Sequence, residues 1–181
     1  MIRILQVVPS LNINSGMMSV IMNYYRKIDR SKIQFDFLYF GEMKDSHRVE
    51  IEELGGHVYY IKHPAFKLKD QKHLRVFFQK HKGEYTAVHC HPIWSSAVVA
   101  SAAKKSGIRH IIQHAHSTKY SEKKISAVRN YFVVKLISFF ATEYIACNDE
   151  AAQLLGKKRA ANGQVYVLPN AIDLQRYAFS E

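Results

Sequence analysis

The sequence predicts an α/β domain: a doubly wound, mainly parallel seven-stranded sheet with helices on both faces. Short apolar runs alternate along the whole chain with segments of helical period. Glycines and a proline punctuate the joints between them. The gaps between successive runs are long enough for a helix to carry the chain back to the same end of a parallel sheet. Right-handed crossovers then favour ligands above the carboxyl ends of the strands.

The elements follow in order. Ile2–Val8 is an apolar run stopped by Pro9, and so a strand. Apolar residues at 17, 20, 21, 24 and 28 give Met17–Ile28 helical spacing. Gln34–Phe40 reads as the second strand, and Arg48–Leu54 as a helix stopped by Gly55-Gly56. His57–Ile61 is a strand and Leu68–Lys82 a basic amphipathic helix. Thr86–His91 is a strand, followed by a small-residue helix, Trp94–Ser106, closed by Gly107. Arg109–His114 is a strand and Glu122–Phe140 the longest helix. Glu143–Cys147, Asp149–Leu155 and Gln164–Leu168 complete the pattern as strand, helix and strand. No internal repeat or low-complexity segment interrupts it. Residues 1–168 therefore read as one domain, and 169–181 as a linker leading out of it.

Composition narrows the class. With 181 residues, 48% of them hydrophobic, the chain is long and apolar enough to pack a core, which excludes a disordered protein. The net charge of +11 is one-sided. Residues 1–60 hold seven Lys/Arg against seven Asp/Glu, and residues 61–181 hold nineteen against eight. Such an excess suits nucleic acid, an anionic membrane or a phosphorylated substrate, and charge alone does not choose. No helix-turn-helix, RRM or KH pattern accompanies it, so no nucleic-acid partner is expected. Cys90 and Cys147 read as two buried thiols of a reducing compartment. The N-terminus shows no signal pattern, and Tyr131–Ala141, broken by Lys135, is too short to span a bilayer. A cytoplasmic protein, peripheral at the inner face of the membrane, is the expectation.

Two places offer chemistry. The first strand-to-helix turn runs Pro9-Ser10-Leu11-Asn12-Ile13-Asn14-Ser15-Gly16. A glycine ahead of a helix lets a ligand approach the backbone, and the free N–H groups at the helix start suit a phosphate. Asn14 or Ser15 serves as the cap, and a plain capped turn is the alternative reading. The turn is neither GxGxxG nor GxxxxGK[ST], which excludes a nicotinamide fold and an ordinary P-loop ATPase. The second place is a pair of His-x-His strand ends, His89-Cys90-His91 and His114-Ala115-His116. On neighbouring strands their four imidazoles would gather on one side of the sheet. A metal site is one reading of four imidazoles, but no carboxylate or second cysteine stands at helpful spacing, and none is expected. His91 and His116, at the strand tips, are the better candidates, as hydrogen-bonding groups at a cleft mouth.

The basic segments are a third feature. Lys123, Lys124, Arg129 and Lys135 surround an apolar face of Ile125, Val128, Phe132, Leu136 and Phe139, and Leu68–Lys82 is built alike. Either an anionic membrane surface or an ordinary core-facing helix with a solvated basic side accounts for them.

These residues together resemble the retaining glycosyltransferases of the GT-B fold, in particular the bacterial enzymes of capsule and exopolysaccharide synthesis. Ile2–Pro9 and Asn14-Ser15-Gly16 through Arg26 resemble the family's opening strand, glycine loop and first helix. Ile33–Leu38 resembles its second strand. Tyr85–His91 is similar to its D-V-V-H-x-H strand, and Ile112–Ser117 to its H-x-H strand end. Ala146–Ala152 is similar to A-x-S-x-x-A, and Val167–Asp173 to I-P-N-G-I-D, the exit from the N-terminal domain. The resemblance spans essentially the whole chain. It implies one Rossmann-like half of a two-domain enzyme that moves a sugar from a nucleotide diphosphate-sugar to a glycan acceptor, lipid-linked, without metal or cofactor. It implies a donor-pyrophosphate contact at Ser15 and Gly16, a catalytic contact from His116 to the transferred sugar, and acceptor contacts at Asn14 and His91. A C-terminal donor domain, in cis or in trans, would complete it, and this chain alone is expected to be inactive. The chain departs from the pattern at Ser15, where the family has glycine, at Met18, where it has an acidic residue, and at Ala171, which replaces the exit glycine. A membrane- or partner-docking module without catalysis, and another GT-B enzyme such as a sugar-nucleotide epimerase, are the alternatives.

Overall fold

In the computed structural model, which describes residues 1–41, 44–62 and 71–172, the chain alternates strand and helix as expected. The strands are β1 (Ile2–Ser10), β2 (Ile33–Gly41), β3 (Val58–Tyr60), β4 (Ala87–Cys90), β5 (His110–Ala115), β6 (Glu143–Ala146) and β7 (Tyr166–Val167). They form one seven-stranded sheet in the order β3-β2-β1-β4-β5-β6-β7. Each neighbouring pair is parallel, so the sheet is parallel throughout rather than mainly so.

The helices are α1 (Gly16–Lys27), α2 (Arg48–Glu53), α3 (Lys72–Lys80), α4 (Ile93–Lys105), α5 (Lys124–Ile137), α6 (Asp149–Leu154) and α7 (Lys157–Ala161). Ser15 caps α1, its hydroxyl accepting from Met18 N at 3.4 Å, and Arg26 and Lys27 complement the dipole at its far end. Two expected helices are shorter than their apolar pattern: α5 loses a turn of its reading, and α3 begins at Lys72. Residues 68–70 of that expected helix lie outside the described residues, as do 173–181 of the expected linker. The short α7 had no counterpart in the sequence reading.

The two faces of the sheet bury different cores. One face packs Leu5, Val7, Leu38, Val88, Cys90 and Ile111 against α3, α4 and α5. A smaller cluster on that same face sets Ala115, Tyr144 and Ala146 against Ala151 and Ala152 of α6, while on the other face Val8, Phe37 and Tyr39 meet α1 and α2. Strands covered on both faces explain the near-continuous apolar runs. Asp36, buried in β2, is held by two of the three Arg3 guanidinium nitrogens at 2.7 and 2.8 Å, by the Tyr85 hydroxyl at 3.0 Å and by His57 N at 2.8 Å. Burial is the largest single influence and would raise the Asp36 carboxyl. The hydrogen bonds from Arg3, His57 N and Tyr85 and the Arg3 charge together outweigh it and keep the carboxyl below the usual range.

Gly55, at φ +86°, ends α2 in the left-handed region. The expectation of two buried thiols holds for Cys90, while Cys147 is half-buried beyond β6, where the chain leaves the sheet. Past β7 the chain is tied to α1: Asn23 Nδ2 donates to Ala171 O and the Tyr24 hydroxyl to Pro169 O, each at 2.9 Å. Among the described residues no helix is long and apolar enough to cross a membrane.

Candidate active site

The strand order reverses direction between β1 and β4, and there the loops leaving adjacent strands part to opposite faces. β1 leads into the Asn14-Ser15-Gly16 turn and β4 into His91-Pro92. A cavity of about 300 Å³ opens at this point, lined by Pro9, Met17, His91, Trp94, His116 and Tyr120 among others. The start of α1 and both strand-tip histidines thus share one crevice.

The turn is ordered by its own polar groups. Asn12 Oδ1 accepts from Asn14 N at 2.9 Å, and Ser15 N donates to Asn12 O at 3.1 Å. The Ser15 hydroxyl is engaged in capping, so what Ser15 and Gly16 offer an anion is backbone. The first helical hydrogen bond runs from Ser19 N to Ser15 O, and the Gly16 and Met17 N–H groups lie ahead of it. A side chain at Gly16 would meet nothing within 4 Å, and the residue has no left-handed φ. Neither packing nor backbone conformation within the chain therefore calls for glycine here. Its effect is to leave the helix start open.

The four imidazoles come together as neighbouring strands require. In the β4–β5 register His89 lies beside Ile112 and Cys90 beside Gln113. His89 and His114 stack with centroids 5.2 Å apart, and His89 Nε2 is 3.1 Å from His114 Nδ1. His114 and His116 stack at 3.9 Å. Gln6, one strand away on β1, holds His91: its Oε1 accepts from His91 Nε2–H at 2.8 Å. His91 Nδ1 must then accept, so His116 Nε2–H donates to it at 2.7 Å. A neutral His116 is left with a lone pair on Nδ1.

Burial pushes all four rings down: His89 to about 3, His114 to about 2, His116 to about 4, and His91 well below its ordinary value. Repulsion from neighbouring rings adds to this for His89, His91 and His114. At neutral pH the cluster is uncharged. His116 can therefore accept a hydrogen bond from a hydroxyl, but it is not a resident cation for a phosphate.

His89, His91 and His114 each bring a nitrogen within 4.8 Å of the others, the nearest approach to a metal-ligand set among the described residues. Both nitrogens of His91 are already engaged, and His89 and His114 hydrogen-bond each other, so an ion would have to break these bonds. His114 Nε2 is buried without a hydrogen-bond partner among the described residues. The cluster borders a second cavity, of about 310 Å³, closed on the helix side by Val20, Ile21, Tyr24 and Ile28 and touched by Leu168.

Asn14 is placed elsewhere. It lines a polar cavity of about 640 Å³ between α1 and α2, with Ser19, Arg26, His47 and Glu50. That lining is internally paired: Arg26 grips Glu50 with two nitrogens, at 2.5 and 2.9 Å, and His47 Nδ1 reaches the same carboxylate at 2.9 Å. The structure thus brings His91, His116 and the α1 start together and sets Asn14 on a separate cavity. Sequence reading passed over Gln6, the residue that orients His91. Its signal was a lone amide inside an apolar strand.

The profile described as Glycosyltransferase Family 4 matches residues 14–176. The chain is 31% identical over 184 residues to EpsF of Bacillus subtilis (strain 168), which carries a provisional glycosyltransferase name. The match covers 97% of this chain and 47% of EpsF, so the chain spans about half the length of that relative. Among solved structures, Anabaena Alr3699/HepE in complex with UDP and glucose aligns with a TM-score of 0.73 at 18% identity, over 99% of this chain and 47% of that one. A glycosyltransferase from Rickettsia africae ESF-5 aligns at 0.66 and 13%, covering 97% of this chain and 45% of its own. A UDP-N-acetylglucosamine 2-epimerase aligns at 0.63 and 12%, over 93% and 48%.

Proposed function

Because the chain belongs to glycosyltransferase family 4, we propose that it is the acceptor-side half of an enzyme that moves a sugar from a nucleotide diphosphate-sugar to a glycan. The observation that carries this reading is the crevice at the β1–β4 switch point, where Met17, at the open start of α1, and the His91–His116 pair line one cavity. In this reading the Gly16 and Met17 N–H groups and the α1 dipole stabilise charge gathering on the leaving pyrophosphate. His116, neutral and oriented through His91 and Gln6, accepts from a hydroxyl of the transferred sugar and holds it as the ring flattens. His91, spent on Gln6 and His116, positions rather than touches. HepE was solved with UDP and glucose, which makes UDP-glucose the first donor to try. The acceptor is a lipid-linked glycan of capsule or exopolysaccharide synthesis, met on the cytoplasmic side of the membrane. A donor-binding domain, in cis or in trans, supplies the facing wall, and residues 169–181 are the link toward it.

The test is sugar transfer from labelled UDP-glucose to lipid-linked glycans by the protein together with its donor domain. His116→Ala should lower kcat by about a hundredfold with little change in donor affinity. His116→Asn, which keeps a hydrogen-bonding group, should recover part of it. Full activity in His116→Ala would remove that residue from the mechanism. An epimerised nucleotide-sugar without transfer would replace the transferase reading with an epimerase one.

A further inference from the structure

We infer that the outer face of α5 is a docking surface for an anionic lipid bilayer, lying beside the mouth of the His116 cavity. The helix is apolar on two sides. Asn130, Val133, Val134 and Ile137 are buried. The residues Ile125, Val128, Phe132, Leu136 and Phe139 point the other way and are between 47% and 87% exposed. At 100° per residue they form one stripe, running from the first turn of α5 to just past its last. A helix that is apolar all round ordinarily lies inside a core, and a stripe of this kind left bare marks an interaction surface.

Charge chooses the occupant. Between Lys123 and Thr142 there are four basic residues and no acidic one. By helical geometry Arg129 flanks the stripe on one side, and Lys124 and Lys135 flank it on the other. Lys104 of α4 reaches the same end, its Nζ donating to Phe139 O at 3.0 Å. Tyr131, with Lys135 Nζ 4.5 Å from its ring centre, adds an amphipathic ring at the border. The acids that bound this segment in sequence are already paired, Glu122 with Lys119 at 3.3 Å and Glu143 with His110 at 2.9 Å. An apolar stripe of aromatic and aliphatic side chains rimmed by cations is the form that lies in a bilayer interface with anionic headgroups. The His116 cavity is lined by Lys119, Tyr120, Ser121, Glu122 and Asn130, the loop and helix that carry the stripe. A bilayer on this face would present lipid-linked material at that mouth. Only this last step rests on the transferase reading.

The experiment is flotation of the full chain with vesicles of equal parts phosphatidylglycerol and phosphatidylcholine, and with phosphatidylcholine alone. Binding should favour the anionic vesicles and weaken with salt. Lys124→Glu, Arg129→Glu and Lys135→Glu together should lower affinity by about fivefold for each cation removed. Phe132→Ser and Phe139→Ser should each lower it by about tenfold or more. All five positions are exposed, but Arg129 also donates to Oδ1 of the buried Asn130 at 3.1 and 3.0 Å. Lys124→Glu with Lys135→Glu is therefore run as a second variant that should melt as the parent does, and melting is checked on the same samples. Failure of the parent chain to float, or flotation of the variants equal to the parent, overturns the proposal. So does a dimer in sedimentation that Phe132→Ser splits, which would give the face to a second copy. UDP-glucose binding by the protein with its donor domain separates the two readings. Flotation lost with that binding kept bears on the surface alone, and flotation without UDP-glucose binding rejects UDP-glucose as the donor and leaves the surface standing.

Discussion

An amide in the middle of a buried strand needs a partner, and Gln6 has one in His91. Its carboxamide oxygen selects the Nε2–H form of His91, and His91 in turn selects the Nε2–H form of His116. Gln6→Leu keeps much of the volume and removes that instruction. In nitrogen-15 spectra of the imidazoles, His116 should change from a single Nε2–H tautomer to a mixture, and stability should fall by about 1–3 kcal/mol as the His91 donor is stranded. An unchanged His116 spectrum would show that something else orients the ring. The two His-x-His pairs could be read from the sequence because alternation puts each pair on one side of its strand, and two strands joined by a single helix are expected to lie side by side. Gln6 could not, since its role depends on β1 lying beside β4, a pairing that the chain order does not announce. Asp36 presents the converse case. It lies in a segment similar to the family's second strand, yet its contacts, to Arg3, His57 and Tyr85, are structural ones.

Among the elements, the α2–β3 joint shows how a turn can be fixed by contact as much as by conformation. A side chain on Gly56 would come within 2.5 Å of Phe35 O and 2.6 Å of the Tyr25 hydroxyl. The first of these is backbone and has little room to move, so Gly56→Ala should cost about 1–3 kcal/mol in urea unfolding. A loss below a few tenths would mean that the joint opens freely. The Gly55-Gly56 stop was visible in the sequence because glycine pairs end helices, whereas the tight contact at Gly56 was not. The strands were legible throughout, since runs buried on both faces stand out whatever their exact ends. The failures have physical reasons too. Helix α7 is a single basic turn, Lys157–Ala161, with no buried residue, and so leaves no apolar period to read. For α5, composition allowed a core-facing helix or a membrane face, because an apolar stripe looks alike whether or not it is covered. The structure shows that the marked residues are the exposed ones.

The stability of the whole molecule carries the signature of its uncharged cluster. The unfolded chain takes up protons on its histidines near pH 6.5, while the folded rings resist until about 4 for His116, about 3 for His89 and about 2 for His114. As pH falls from 6.5 toward 4, the unfolded state therefore binds more protons and the fold weakens. Between pH 7 and 5 the loss should be about 2 kcal/mol for each imidazole kept neutral. Asp36, whose folded pKa is lowered, contributes stability that disappears only below about 4, so the two windows separate. Urea titrations across this range check the slope, and a flat profile would mean that the rings are open to protonation in the folded state.

The ties from Asn23 and Tyr24 to the strand-exit segment have a mechanical side. They grip α1 about 10 Å along its axis from Gly16. Force on the chain at Ile172 is therefore delivered to α1, the same rod whose first turn borders the imidazoles.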